Sequence, residues 1–286
     1  MVKRSIVVGL GTIAPIVLSA VASAQVTFPR MAKFTWSVNG RSPSTAPVSG
    51  ILLPNGQVQY KGIFKTSEGV TLNFDYKVDS KNDPIALMSG WIKCSNSSST
   101  AQGIDASFSV PLCPDIPGGT TIGGSVTLLA TANQNGATIS CLPGAVSLWQ
   151  VLIDETTTHQ EYWCPFILST TGSGTIQTNK IFGAPIPSLP GPNSAPSVGS
   201  RNRFTISDGD SFQITSNIIV KSLGLPSACV ADLNGDGTVN ALDLAELLGL
   251  WGDHTNPCLQ GDFDGNLTVD AKDVALLLGA WGPCDP

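Results

Sequence analysis

From Phe34 onward, apolar and polar residues alternate with a period of two, and the alternation breaks at Gly, Pro, Asn and Ser. That period belongs to strands with one face buried. Phe34, Trp36 and Val38 share a face, and Val70, Leu72, Phe74, Tyr76 and Val78 keep one for longer. The pattern returns at Val126-Leu128-Ala130, Val151-Ile153, Tyr162-Cys164-Phe166-Leu168, Phe204-Ile206 and Phe212-Ile214. No run of a dozen residues in this region has helical periodicity. Strands at this spacing predict a mainly β fold over residues 25–222, two antiparallel sheets packed face to face as a β-sandwich or jelly roll. Residues 183–199 carry five prolines and predict a long surface loop, because proline has no N–H for a ladder. The stretch RNRFTISDGDSFQITSNIIV then predicts a closing hairpin that turns at Asp208-Gly209, and residues 223–228 a short linker.

Both ends depart from this pattern. Lys3 and Arg4 precede an apolar run from Ile6 to Val21 broken by Gly9, Gly11 and Pro15, and Ala22-Ser23-Ala24 follows. These are the three regions of a cleaved secretory signal, assigned to residues 1–24, and the run is too short and broken to span a membrane. The mature chain is therefore expected outside the cytoplasm, secreted or at the cell surface, where disulfides persist. Cys94 with Cys113 and Cys141 with Cys164 each bracket a hairpin-sized loop, although four cysteines allow three pairings.

At the other end one pattern is written twice, DLNGDGTVNALDLAELLGLWG from Asp232 and DFDGNLTVDAKDVALLLGAWG from Asp262, offset by thirty residues. A repeat of this kind is one structural unit used twice. Asp232, Asn234, Asp236, Asn240 and Asp243 hold positions 1, 3, 5, 9 and 12 of a calcium loop, with the Thr238 carbonyl at position 7 and Gly237 at the sharp turn. The second copy offers Asp262, Asp264, Asn266, Thr268, Asp270 and Asp273, but Leu267 stands where the turn favours glycine. Two Ca2+ sites are expected, the second weaker. Val239 and Val269, at position 8, are expected to pair the two loops through a short β-bridge. Each loop leads into an apolar stripe, Leu244, Leu247, Leu248 and Trp251 in one helix and Val274, Leu277, Leu278 and Trp281 in the other. A miniature core could use the whole stripe, or Leu250 or Trp281 could be left as a patch for a partner.

Charge sharpens the division. Residues 25–228 hold 12 basic and 11 acidic side chains, and residues 229–286 hold 1 basic and 10 acidic, a net −9. Only the tail is strongly charged and in need of a counter-ion, and the near-neutral body argues against nucleic acid or an anionic membrane as partner.

A loop with one exiting helix, duplicated, with Asp at position 12 and helices that end in Trp-Gly, resembles the type I dockerin family over residues 229–286. That resemblance implies paired calcium loop-helix units that dock onto a cohesin-like or other scaffold protein, often carrying polysaccharide-degrading enzymes or sugar-binding modules. Cohesin contacts in that family involve loop positions 10 and 11, here Ala241-Leu242 and Ala271-Lys272. A two-fold arrangement of the repeats would bring Cys229 and Cys284 together as a clasp and leave Cys258 over. Separately, FTISDGDSFQITSNIIV resembles the closing strands of β-rich secreted proteins of environmental bacteria, which implies no activity.

The body offers little catalytic chemistry. Asp154, Glu155 and Glu161 around His159 are the candidates for a glycosidase carboxylate pair, or else a solvated hairpin tip with a turn at Thr156 to Thr158. Trp36, Trp91, Trp149 and Trp163 could stack on sugar rings if exposed, or fill the core. No nucleophile elbow, phosphate-binding glycine loop or zinc spacing occurs. The sequence thus reads as a secreted calcium-binding protein whose dockerin-like module carries a non-catalytic β-sandwich. The alternative is an extracellular polysaccharide-degrading glycosyl hydrolase or a carbohydrate-binding component.

Overall fold

The run from Val70 to Val78 becomes one strand in which every second side chain is shut from solvent, so the period-two pattern is also the burial pattern. The computed structural model describes residues 27–55, 57–79, 85–116, 119–223, 231–234, 236–253, 260–263 and 268–284, with the backbone alone at 27–30 and 113–115. The signal segment and most of the linker lie outside the described residues. The first half of the body forms β1 (Thr27–Val38), β2 (Ser44–Leu52), β3 (Val58–Lys65), β4 (Val70–Asp79), β5 (Ile85–Asn96) and β6 (Gln102–Ile116). β7 (Thr120–Ala132), β8 (Ala137–Cys141), β9 (Ser147–Ile153), β10 (Thr156–Trp163) and β11 (Ile167–Thr170) follow. β12 (Gly174–Phe182), β13 (Leu189–Pro190), β14 (Ala195–Ile206) and β15 (Ser211–Ser222) complete it.

The strands pair antiparallel in the order β10-β9-β14-β6-β1-β2-β3-β4-β5-β15-β7-β12. β2 and β3 share only the pairs Ile51↔Gln59 and Leu52↔Val58, and there the ribbon passes from one layer to the other. Contacts between strands far apart in this order place the two layers face to face. Phe34 of β1 stacks on Phe74 of β4 at 4.5 Å, and Tyr76 of β4 stacks on Phe108 of β6 at the same distance. Trp149 of β9 meets Phe182 of β12 at 5.5 Å, and the Tyr162 hydroxyl of β10 donates to the Val126 carbonyl of β7. The mainly β, sandwich-like fold is therefore present, with apolar side chains of both layers forming one core.

Four features differ from the sequence expectation. β14 and β15 are joined by the turn at Asp208-Gly209 but do not pair with each other: β14 pairs with β6, β8 and β9, and β15 with β5 and β7. The stretch is an arch between layers, since each strand already has neighbours on both edges. β14 also begins at Ala195, inside the expected loop, and Pro196 is accommodated at the bulge between Ala195 and Ser197. The turn of the β9–β10 hairpin is Asp154-Glu155, with φ of 51° and 57°, and Thr156 to Thr158 belong to the strand. Finally, Cys141 and Cys164 form a disulfide, whereas Cys94 is a free thiol buried on β5.

In the tail, α1 (Ala241–Gly249) and α2 (Ala271–Gly279) start at Asn240 and Asp270, whose side chains cap the first turn. Four two-residue strands frame them, β16 (Thr238–Val239), β17 (Gly252–Asp253), β18 (Thr268–Val269) and β19 (Gly282–Pro283). The two valines do not pair with each other. Val239 pairs with Gly282 and Val269 with Gly252, so each loop is clipped to the chain leaving the other repeat's helix. Ala231, Val239, Leu247, Val269 and Leu277 form a second core. No helix among the described residues is long and apolar enough to cross a membrane.

Candidate functional site

The first loop of the tail is organised by side-chain carboxylates that accept backbone amides. Asp232 Oδ1 accepts from Asp236 N (3.1 Å) and its Oδ2 from Gly237 N (2.8 Å), which draws the chain into a curl. Gly237 sits at φ 87°, a conformation that side chains with a Cβ rarely adopt. Asn234 Oδ1 accepts from Asp236 N, and Asp236 Oδ1 from Thr238 N, each at 2.9 Å. The Nδ2 groups of Asn234 and Asn240 turn towards Asp236 Oδ2, at 3.1 and 3.4 Å. Two amide donors on one oxygen supply partial positive charge where the loop's carboxylates gather.

Asp243 closes the loop from inside the first turn of α1 and is fully buried. Its Oδ1 accepts from Leu233 N (2.8 Å) and Asn234 N (3.2 Å), and its Oδ2 from Asn240 N (2.8 Å). Burial alone would raise its pKa. The amides of Asn240, Asn234 and Leu233 outweigh that and hold the carboxyl below its ordinary value. The side chain thus arrives ionised and oriented, serving as helix cap and loop clasp at once.

Loop 2 repeats the clasp. Asp273 is fully buried and accepts from Phe263 N (2.8 Å) and Asp270 N (2.9 Å), and Asp270 Oδ1 accepts from Lys272 N at 2.7 Å. The Thr268 hydroxyl donates to Asp253 Oδ1 at 2.9 Å, across the β17–β18 bridge. Asp262 lies beside Phe263 at the start of this loop, whereas Asp264, Asn266 and Leu267 lie outside the described residues. Among the described residues, no three His, Cys, Asp or Glu side chains converge as a metal cluster. Loop 1 has three carboxylates, and its other oxygens belong to Asn234, Asn240 and the Thr238 carbonyl.

The helix stripes divide. Leu247 and Leu277 are fully buried, with Leu244, Leu250 and Val274 packed against them. Leu248, Trp251, Leu278 and Trp281 are about half exposed. Ala241, Leu242, Ala271 and Lys272, at positions 10 and 11, face solvent. Cys284 is disulfide-bonded, and Cys229 and Cys258 lie outside the described residues.

The body's carboxylate candidates lie on one hairpin, Asp154 and Glu155 at its turn and Glu161 on β10. Glu155 binds Lys33 at 2.9 Å on the exposed hairpin tip, while Glu161 contacts His159 Nε2 at 3.1 Å further down β10, where His159 stacks on Phe182. Of the tryptophans, Trp149 is in the core, Trp36 stacks on Phe64 at 4.5 Å, Trp91 is half-buried and Trp163 is exposed. One concave feature has no counterpart in the sequence expectations. Lys33, Asp105, Ser107, Ser109 and Arg201 line an open groove on the outer face of the sheet. Arg201 and Arg203 alternate along β14, a legible sign that both point one way. Their shared partner Asp105 lies on β6, remote in sequence, and could not be read.

No protein-family model matches the chain, and no curated protein matches it. A solved structure of infectious bursal disease virus, Gx strain, aligns over 72% of this chain and 59% of its own, at 12% identity and a TM-score of 0.19. A likeness that slight carries no argument about fold or activity.

Proposed function

We propose that the chain is a secreted calcium-binding protein in which a dockerin-like C-terminal module attaches a non-catalytic β-sandwich to a surface scaffold. The observation that carries this reading is the thirty-residue repeat, with oxygen side chains at positions 1, 3, 5, 9 and 12 in both copies. The donor set in loop 1 fits calcium. Asp232, Asn234, Asp236, Asn240, Asp243 and the Thr238 carbonyl are hard oxygen groups, with no sulfur or imidazole among them. Asp262, Asp264, Asn266, Thr268, Asp270 and Asp273 are assigned the same task in loop 2, with weaker binding because of Leu267. Bound calcium would neutralise carboxylates that otherwise repel one another and would add its binding free energy to folding.

The half-exposed Leu248, Trp251, Leu278 and Trp281 leave apolar surface on the same module, which favours attachment over a purely structural tail. The chain's own residues thus divide the work. The buried Asp243 and Asp273 hold each loop to its helix, and the outer helix positions are left for a cohesin-like partner. For the glycosyl hydrolase reading the available carboxylates are Asp154 and Glu155 at the hairpin turn, Glu155 bound to Lys33, and Glu161 beside His159. The test is recovery of secreted partners on the immobilised full-length protein, with calcium and with chelator. A partner retained only in calcium supports attachment, and equal recovery in both conditions would sink it.

A further inference from the structure

On the outer face of the sheet, the groove beside the Asp154-Glu155 turn has a volume of about 230 Å³. It falls below the roughly 300–1,000 Å³ of pockets that take drug-sized ligands, so it suits something smaller. Strand register builds its floor. Arg201 lies opposite Ser107 and Ser107 opposite Thr35, while Asp105 lies opposite Ser37, and residues opposite one another across a ladder face the same side. Two ion pairs form the walls. Arg201 holds Asp105 through two parallel bonds, Nε to Oδ1 at 2.8 Å and Nη2 to Oδ2 at 2.6 Å, and Lys33 holds Glu155.

Three properties select the ligand. First, the four charged side chains of the lining cancel and are already paired with one another, and Arg203, beside the groove, shares Asp105, so a charged ligand finds no unpaired partner. Second, among the described residues the hydroxyls of Ser37, Ser107 and Ser109 make no hydrogen bond, although all three line the groove. The Arg201 guanidinium has five N–H donors, of which Asp105 takes two. Donors and acceptors are therefore interspersed and open, which matches a ligand whose groups both donate and accept. Third, Pro43 and Leu152 supply apolar flanks beside this polar floor. Clustered hydroxyls joined to an apolar ring face are the chemistry of a neutral sugar ring.

We propose that this groove is a binding site for a single neutral pyranoside unit, with Arg201, Asp105, Ser107 and Ser109 as its hydrogen-bonding residues. The site is independent of the tail and stands whether or not the tail binds calcium. The test is titration of the full-length protein with methyl pyranosides of glucose, galactose, mannose and xylose, followed by saturation-transfer NMR and calorimetry. Methyl glucuronide and galactose 6-sulfate serve as charged comparators. At least one neutral glycoside should bind saturably in the millimolar range and more tightly than either comparator. Ser107→Leu, which fills the floor from a solvent-facing strand position, and Arg201→Lys, which removes the two-bond fork but keeps the charge, should each weaken it by about tenfold or more. Both variants are to be read only with an unchanged melting temperature, and Ser109→Val supplies a third probe if either unfolds. No saturable binding by any neutral glycoside, tighter binding of a charged comparator, or unchanged affinity in the folded variants would overturn the proposal.

Discussion

Val239 is paired with Gly282, forty-three positions further on, and not with Val269, its counterpart in the second repeat. The thirty-residue offset reproduces the arrangement as Val269 with Gly252. Each repeat therefore supplies the strand that the other lacks, and neither loop-helix unit closes alone. Gly282 holds a φ of 128° at this bridge, where a branched side chain is strained. Gly282→Val is expected to destabilise the tail by about 1–3 kcal/mol and to leave the melting of the sandwich unchanged, read as two transitions by calorimetry.

Leu247 and Leu248 are neighbours on α1 with opposite fates, fully buried and half exposed. Leu247→Ala should cost about 2–5 kcal/mol, enough to unfold a core of five buried side chains, whereas Leu248→Ala should stay within about 0.5 kcal/mol. Equal losses measured by denaturant titration would contradict the division of the stripe.

Calcium removal gives a third outcome. With free ion a hundredfold above its dissociation constant, binding contributes about 2.7 kcal/mol to folding. Chelator should lower the melting temperature of the tail and spare the sandwich. Asp236→Asn should reduce the difference between the two conditions.

The sandwich should weaken in alkali through Cys94. Burial pushes its thiol from an ordinary 9.0 up to about 12. A raised folded value means the contribution is complete below the unfolded value and is lost as pH climbs from about 9 towards 12. The slope of stability against pH above 9 should shrink in Cys94→Val, and alkylation mapped by mass spectrometry should leave Cys94 unmodified in the native protein.

The Cys141–Cys164 bond closes a loop of 23 residues in sequence separation. Replacing both cysteines by serine should cost the body about 3 kcal/mol, the loss in unfolded-chain entropy for a loop of this size. A smaller change in denaturant midpoint would place the stabilisation in packing.

The register of hydrophobic positions, legible in the sequence, carried the mainly β architecture, because a strand's two faces are set by neighbouring residues and need no distant information. The same locality made the tail's repeat readable, whereas the capping role of Asn240 and Asp270 emerged only from the folded first turns. Where local signals left a choice, the reading went astray. Asp208-Gly209 is a turn, but whether its flanking strands pair or part depends on the edges that β6, β9, β5 and β7 offer to them. Pro196 argued for a loop until a bulge took up its missing donor.

Spacing and alternation alone thus determined which residues form strands, which face inward, and which acidic side chains recur at loop positions. Tertiary structure decided which strands meet, which cysteines bond, that each valine bridges to the other repeat, and that Arg201 finds Asp105 across two strands. Those outcomes rest on pairing between segments remote in the chain, where geometry is settled by the packing of both layers at once and no single segment carries the information.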